Sequence, residues 1–315
     1  MIIIQKIGAF FRLVRYPNLI FIALTQSLFY FSILLPTYKT AETGMPLLGY
    51  TDFLLLLFSS VSIAAAGYII NDYFDMDIDH INKPKKMVIG KWISRRWAML
   101  WHMLLSLIGL FLTAIVALHV NNMLLLVFNF ASVIVLLFYS TTFKKKLLIG
   151  NVLISLLTAW VIGVLFVAEI NLANFSYLKN HKTELDKLYK YTLVYAGFAF
   201  IVSLIREVVK DLEDMIGDKK FGCTTMPIEW GINVSKIFIA IWLVVLMGLL
   251  LAILVYAFIH NWFLLQLLLI VSLLFYLMYI LFTVKKANAI SDYSKISKHI
   301  KLVMLIGILS IFLFY

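Results

Sequence analysis

Charged residues are scarce in this sequence, since Asp, Glu, Lys and Arg together make up 14% of its 315 residues. A soluble domain carries about 25% charged residues and about 45–50% apolar ones, whereas 63% of this chain is hydrophobic. The apolar excess extends along almost the whole length, so no soluble domain can be separated from the rest. The composition therefore excludes an ordinary globular protein and indicates one built mostly from membrane-spanning segments.

Cysteine and proline are rare as well, with one and five residues. Cys223 cannot form a disulfide within the chain, and no Cys or His set with metal-site spacing stands beside it. Transporters place charged groups near the bilayer midplane and interrupt their spans there with Gly or Pro. In this chain the acids gather outside the apolar runs and prolines are few, which argues against a transporter.

Nine apolar runs are long enough to cross a bilayer, which takes about 17–25 residues. A basic amphipathic segment, residues 1–15, precedes the first run and is predicted to lie at the membrane interface. We therefore predict an all-α polytopic membrane protein, with about nine transmembrane helices around a central cavity and a single domain over residues 1–315. The predicted spans are 19–35, 53–70, 97–118, 123–139, 147–168, 188–205, 237–259, 262–284 and 300–315.

Basic residues are distributed unevenly in this nine-span arrangement. Of the 27 Lys and Arg residues, 22 fall in the N-terminal tail or in loops on its side, and 5 on the opposite side. Because basic residues collect on the cytoplasmic side, we predict a cytoplasmic N-terminus in a bacterial or archaeal cell membrane. Two long Asp-rich loops, 71–96 and 206–236, are then cytoplasmic too. The net charge of +11 indicates contact with anionic lipid heads and an anionic substrate, not with nucleic acid.

Two groups of aspartates share one spacing, three residues and then four. Positions i, i+3 and i+7 lie on one face of a helix, so each group points three carboxylates in one direction. Each group follows an apolar run and is followed by a lysine-rich segment. The first carboxylate cluster is Asp72, Asp75 and Asp79, and the second carboxylate cluster is Asp211, Asp214 and Asp218.

The clusters predict a magnesium site. Carboxylates on one helix face repel each other, and near lipid they carry a large desolvation cost. Mg²⁺ offsets such charge, because it binds one or two carboxylates, keeps several waters and completes its shell with substrate phosphates. We therefore predict that the six aspartates are the catalytic and metal-binding residues, and that the two clusters face each other around one diphosphate.

Two other interpretations of the first cluster are weaker. Solvated loops mix charges of both signs evenly, which does not account for an equal spacing in two separate loops. The pattern Asp75-x-Asp77-x-Asp79 also matches the start of a calcium-binding EF-hand, which requires Gly at its sixth position and Glu at its twelfth. Those positions are His80 and Lys86 here, so the sequence excludes this calcium loop.

The same residues resemble the motifs of the UbiA superfamily of intramembrane prenyltransferases. Its first motif, N-D-x-x-D-x-x-x-D, is met by Asn71 and the first cluster, and its second, K-D-x-x-D, by Lys210 and the second cluster. The Arg-Pro that follows the first motif in that family is Lys86-Met87 here. Segment 206–228 is similar to the branch that makes digeranylgeranylglyceryl phosphate.

This resemblance implies Mg²⁺-dependent transfer of an isoprenyl group, geranylgeranyl in that branch, from its diphosphate to a glycerol phosphate ether lipid. An aromatic acceptor of quinone biosynthesis is the alternative. The implied partners are an isoprenyl diphosphate, a lipid or aromatic acceptor and membrane lipids. Whether Asp211 or Glu213 contacts the metal stays open. The implied substrate-binding residues are Asn18, Asn71, Lys86, Tyr139, Lys145, Arg206 and Lys210.

The charge distribution predicts that Lys145 and Lys179 lie on opposite sides of the membrane. In a Cys223→Ser background and in intact cells, we expect a membrane-impermeant maleimide to label a Lys179→Cys variant. A Lys145→Cys variant should be labelled only after the membrane is permeabilised. Equal labelling of both variants in intact cells would show that the predicted topology is wrong.

Overall fold

The computed structural model describes residues 2–40, 45–84, 87–171, 175–260 and 263–314. In these ranges the chain is helical apart from turns and one isolated bridge between Ile89 and Ile93. They contain nine helices long and apolar enough to cross a membrane, which confirms the predicted class and number of spans. These helices are α1 (Tyr16–Lys39), α2 (Tyr50–Phe74), α3 (Arg95–His119), α4 (Leu124–Thr141), α5 (Ile149–Ala168), α6 (Lys182–Lys220), α7 (Gly231–Ile259), α8 (Leu264–Lys286) and α9 (Ile290–Leu313).

Helix α6 is much longer than its predicted span. It has 39 residues, or about 58 Å at a rise of 1.5 Å per residue, against about 30 Å for the hydrocarbon layer. The apolar run ends at Ile205, but Val208, Val209 and Leu212 continue a buried face beyond it. The predicted loop 206–236 is therefore helical as far as Lys220, and the second cluster lies on a helix.

The chain divides into two compact units. The first comprises Met1–Phe143 with Ala159–Ala196, and the second Lys144–Thr158 with Gly197–Phe314. Helices α5 and α6 therefore contribute residues to both units. The first carboxylate cluster belongs to the first unit and the second cluster to the second.

A buried polar network joins α2 to its neighbours in the first unit. The Ser59 hydroxyl donates to the Gly109 carbonyl at 2.7 Å and lies 2.6 Å from the Thr113 hydroxyl. The Asn129 amide donates to Thr113 at 2.8 Å and accepts from the Trp160 indole at 2.8 Å. Small residues and shared hydrogen bonds of this kind hold membrane helices together, so α2 is firmly positioned by α3, α4 and α5.

The N-terminal helix, Ile2–Leu13, packs against α2. Its Ala9 and Leu13 are fully buried, in one apolar cluster with Ala65 and Ile69 of α2. The segment before α3 joins this cluster, and Ser94 caps α3 by accepting a hydrogen bond from the Trp97 N–H at 3.4 Å. The basic N-terminal segment is thus held beside the polar end of α2, where the first cluster begins.

The core of the second unit is formed by the second half of α6 with α7, α8 and α9. It buries Val202 and Ile205 of α6 together with Leu243 of α7, Leu277 of α8 and Ile300 of α9. The helices are apolar on several faces, as expected for spans that contact both lipid and protein.

We expect Gly109→Ala to lower the unfolding temperature in detergent, because the added methyl group would lie 2.6 Å from Ile63 Cγ1 and 3.1 Å from the Ser59 carbonyl oxygen. Overpacking of this kind costs about 1–3 kcal/mol. Gly248→Ala is the matched control, since no described atom lies within 4 Å of the position that its added methyl group would take. It should be neutral or slightly stabilising. Equal unfolding temperatures for the two variants would contradict the close packing of α2 and α3.

Candidate active site

The first cluster lies where α2 passes into the short helix Met76–Asn82. The Asp75 N–H donates to the Asn71 carbonyl at 3.0 Å, and the Asp79 N–H donates to the Asp75 carbonyl at 2.8 Å. Backbone hydrogen bonding therefore continues through the junction, which keeps the predicted order of the three carboxylates along one helical path. Asp75 is buried, while Asp72 and Asp79 are half-buried.

Asn71 and Asp75 form a buried pair at the end of α2. The Asn71 amide Nδ2 donates to Asp75 Oδ2 at 2.7 Å. The other polar atom of the Asn71 side chain, Oδ1, is buried and accepts no hydrogen bond from any residue that the structure describes. A buried amide oxygen without a donor is costly unless a ligand satisfies it. Amide and carboxylate oxygens side by side are the ligands that Mg²⁺ prefers.

Arg15 forms an ion pair with Asp72 and was not among the predicted site residues. Its guanidinium Nη2 donates to Asp72 Oδ1 at 2.6 Å and lies over the Tyr68 ring at 5.2 Å. Burial disfavours the charged guanidinium, but Asp72, Tyr68 and Asp75 together outweigh burial and raise the pKa of Arg15. The residue directly precedes Tyr16 and has a left-handed backbone, with φ 52°, which is uncommon for a residue with a side chain. The feature of the sequence that could have indicated Arg15 is its position between the basic N-terminal segment and the first span.

The second cluster has an amide partner of its own. The Asn151 Nδ2 donates to Asp211 Oδ2 at 2.8 Å, and the positive charge of Lys144 acts on the same carboxylate. Asp218 is buried, whereas Asp211 and Asp214 are half-buried. Asn151 was not among the predicted site residues, because it is remote from the aspartate motifs in sequence.

A loop-to-loop contact positions Asn151. The Thr224 N–H and hydroxyl both donate to the Lys145 carbonyl, at 2.7 and 2.9 Å. This contact ties the segment before α5 to the turn after α6, where Gly222 has φ 69°. The Lys145 ammonium itself is exposed and Lys144 is half-buried, and the charge of Lys144 acts on Asp211.

Basic side chains accompany the second cluster on α6. The Lys210 ammonium donates to Glu207 Oε1 at 2.6 Å, and Arg206 Nη1 donates to the same oxygen at 3.4 Å. The Arg206 Nε is buried and has no acceptor within the described part of the chain. One carboxylate therefore serves two cations, which leaves a guanidinium donor available for an anion.

The remaining predicted residues have less specific surroundings. Tyr139 is half-buried near the end of α4, as predicted, and Asn18 is half-buried in the first turn of α1. Lys86 lies outside the described residues. Within the described ranges, no three Asp, Glu, His or Cys side chains converge as a metal-binding group. The donor types fit a hard divalent cation, so the fit rests on their chemistry and on the unsatisfied Asn71 oxygen.

A family model supports the motif resemblance. The model of the UbiA prenyltransferase family matches residues 29–299, which include both carboxylate clusters and extend through both units. The chain belongs to the UbiA prenyltransferase family. Family membership, together with the nine apolar helices found in the described part of the chain, identifies it as an integral membrane protein.

Two relatives of this UbiA prenyltransferase have the same name. Digeranylgeranylglyceryl phosphate synthase of Methanothermobacter thermautotrophicus is 32% identical over 200 residues, which are 61% of this chain and 61% of that protein. The synthase of the same name from Methanosphaera stadtmanae is 28% identical over 290 residues, or 89% of this chain and 97% of that protein. The chain thus spans about three fifths of the first relative and nearly all of the second.

Two solved structures have the fold of this UbiA prenyltransferase. A structure from work on digeranylgeranylglyceryl phosphate synthase in membranes has a TM-score of 0.64 and 26% identity, and covers 98% of both chains. A UbiA homolog from Archaeoglobus fulgidus, bound to GPP and Mg²⁺, has a TM-score of 0.58 and 16% identity. It covers 96% of this chain and 99% of that chain, and this likeness shows the shared fold.

We expect Asn151→Asp to lower kcat/KM for prenyl transfer about tenfold or more, because it replaces the amide donor to Asp211 by a second negative charge at hydrogen-bond distance. Asn151→Ala removes the donor without adding charge and should have a smaller effect. Asn233→Asp is the control, since Asn233 is exposed. Steady-state rates at several Mg²⁺ concentrations test this order of effects. Equal rates for Asn151→Asp and Asn233→Asp would contradict it.

Proposed function

We propose that this UbiA prenyltransferase transfers a geranylgeranyl group from its diphosphate to a glycerol phosphate ether lipid. The observation that carries the proposal is the pair of carboxylate clusters with one spacing, each at the polar end of an apolar helix. The names of the two archaeal relatives support this acceptor and this prenyl group. The family match spans both units, which supports one prenyltransferase domain over the whole chain.

We propose that the six aspartates hold Mg²⁺, with Asp72, Asp75 and Asp79 in the first unit and Asp211, Asp214 and Asp218 in the second. The Asn71 Oδ1, buried and without a donor among the described residues, is a further oxygen suited to this ion. When bound, Mg²⁺ neutralises the charge that develops on the departing diphosphate. The homolog that binds GPP and Mg²⁺ supports this cofactor.

Cationic side chains assist departure of the diphosphate. Lys210 on α6 and Arg15 beside the first cluster present ammonium and guanidinium groups for its oxygens. Charge-assisted hydrogen bonds to phosphate are stronger than neutral ones. These residues stabilise the anion as the allylic C–O bond breaks and the electron pair leaves with the diphosphate.

The acceptor completes the reaction. Its hydroxyl oxygen forms the new C–O bond to the allylic carbon and loses its proton, so the products are an ether lipid and diphosphate. The aromatic face of Tyr139 is proposed to stabilise the allylic cation, and the apolar helices exclude water that would otherwise capture it. Asn18, Lys86 and Lys145 are proposed to bind substrate. Cytoplasmic placement of both clusters follows from the distribution of basic residues.

We expect the purified protein to release diphosphate from geranylgeranyl diphosphate only when Mg²⁺ and a glycerol phosphate ether lipid are both present. Asp72→Asn and Asp214→Asn should each lower the rate about 100-fold or more, because each removes a charge that holds the ion. Asp77→Asn is the matched control, since Asp77 is exposed on the same short helix but outside the shared spacing.

Three outcomes separate the components of this proposal. Normal turnover in both cluster variants would disprove the metal assignment. An equal loss in Asp77→Asn would show that the effect comes from total charge and not from the spacing. Turnover with an aromatic acid and none with the ether lipid would replace the proposed acceptor by the aromatic acceptor of quinone biosynthesis.

A further inference from the structure

Helices α6 and α9 are in direct contact inside the second unit. Gly307 of α9 lies against the Phe198 ring of α6 so closely that a methyl group at Gly307 would collide with it. Ile205 and Val209 of α6 belong to one buried cluster with Ile300 of α9. Consecutive spans alternate in direction, so α6 and α9, three spans apart, run in opposite directions.

This contact sets the register of the two helices. Arg206 lies eight residues beyond Phe198 on α6, or about 12 Å at the helical rise. Lys301 lies six residues before Gly307 on α9, or about 9 Å in the same direction. Along the helix axes, Arg206 and Lys301 therefore lie at nearly the same distance from the Phe198–Gly307 contact, with a difference of less than one helical turn. The positive charge of Arg206 acts on the Lys301 ammonium, in agreement with this register.

Two like charges at one level between packed apolar helices are costly unless an anion lies near them. The nearest carboxylate of α6, Glu207, is already shared by Arg206 and Lys210. The Arg206 Nε is a buried donor without an acceptor in the described part of the chain. The local chemistry is therefore that of an anion-binding site with a guanidinium and an ammonium as donors.

Lysines on α9 lead to this position from the protein surface. Lys295 and Lys298 are exposed and Lys301 is half-buried, at a constant spacing of three residues. Positions three apart form a slanted row on a helix surface. An anionic head group that arrives laterally in the bilayer therefore meets positive charge continuously up to Arg206.

We propose that Arg206 and Lys301 bind the phosphate of the lipid acceptor. The inference rests on the proposed function for the identity of that lipid. The donor diphosphate is assigned to the carboxylate clusters, the second of which begins five residues further along α6 at Asp211. The acceptor carries a separate monophosphate, and Arg206 with Lys301 offers a second anion site matched to one phosphate group.

Steady-state kinetics distinguish the acceptor phosphate from the donor diphosphate. Lys301→Met keeps the length of the side chain and removes its charge, so the acceptor KM should rise about tenfold. The donor KM and kcat should change less than about threefold, and Lys301→Arg should restore the acceptor KM. Lys285→Met is the matched control, because Lys285 is exposed at the end of α8. A rise in donor KM alone, or no change in either KM, would overturn the assignment.

A binding measurement tests the site without turnover. A dialkylglycerol phosphate should raise the unfolding temperature of the wild-type protein in detergent more than the same dialkylglycerol without phosphate. This difference should disappear in Lys301→Met, whose unfolding temperature without lipid should match the wild type. Equal stabilisation of the wild type by both lipids would overturn the site.

The two measurements separate this inference from the proposed function. If the phosphate lipid stabilises the wild type selectively but receives no prenyl group, the site stands and the proposed acceptor is wrong. If the phosphate lipid is prenylated and its KM is unchanged in Lys301→Met, the proposed function stands and the site is wrong.

Discussion

Negative charge at the polar ends of apolar helices has to be balanced, and this requirement organises the structure around both clusters. The Arg15 guanidinium balances Asp72, the Asn71 amide holds Asp75, and the Asn151 amide holds Asp211. Arg15 and Asn151 come from outside the helix that carries their aspartate, whereas Asn71 lies one turn before Asp75 on the same helical path. The N-terminal helix packs against α2, and Arg15 follows it beside Asp72. The segment before α5 contacts the turn after α6, and Asn151 lies beside Asp211. The surrounding fold thus brings a guanidinium or an amide donor to three of the six carboxylates.

The negative charges of the two clusters are balanced by different partners. The first uses a guanidinium from the turn between the N-terminal helix and α1, while the second uses an amide from α5 and the charge of Lys144. The shared spacing gives each helix end a similar row of carboxylates, but the local sequence supplies unlike neighbours. Repetition in the motif therefore does not extend to its surroundings, and the two clusters are not interchangeable.

The sequence was sufficient for the fold because nine long apolar runs leave few alternatives in a bilayer. It also predicted Asp72 and Asp211 as site residues through their spacing, a property local to one helix. Arg15 and Asn151 were not identified, because their proximity to those acids depends on tertiary packing across long stretches of chain. The end of α6 was missed for another reason: average hydropathy falls after Ile205, although Val208, Val209 and Leu212 remain buried.

The length of α6 has a consequence for how the products separate. Its carboxylates follow the apolar run by six to thirteen residues, or about 9–20 Å of rigid helix, and so stand outside the hydrocarbon layer. In the proposed reaction, diphosphate is released at a level of the protein where water is present. The prenylated lipid stays dissolved among its neighbours in the bilayer. Because diphosphate enters water and the prenylated lipid stays in the bilayer, the two products separate and the reverse reaction is disfavoured. No channel or pump for the anion is needed.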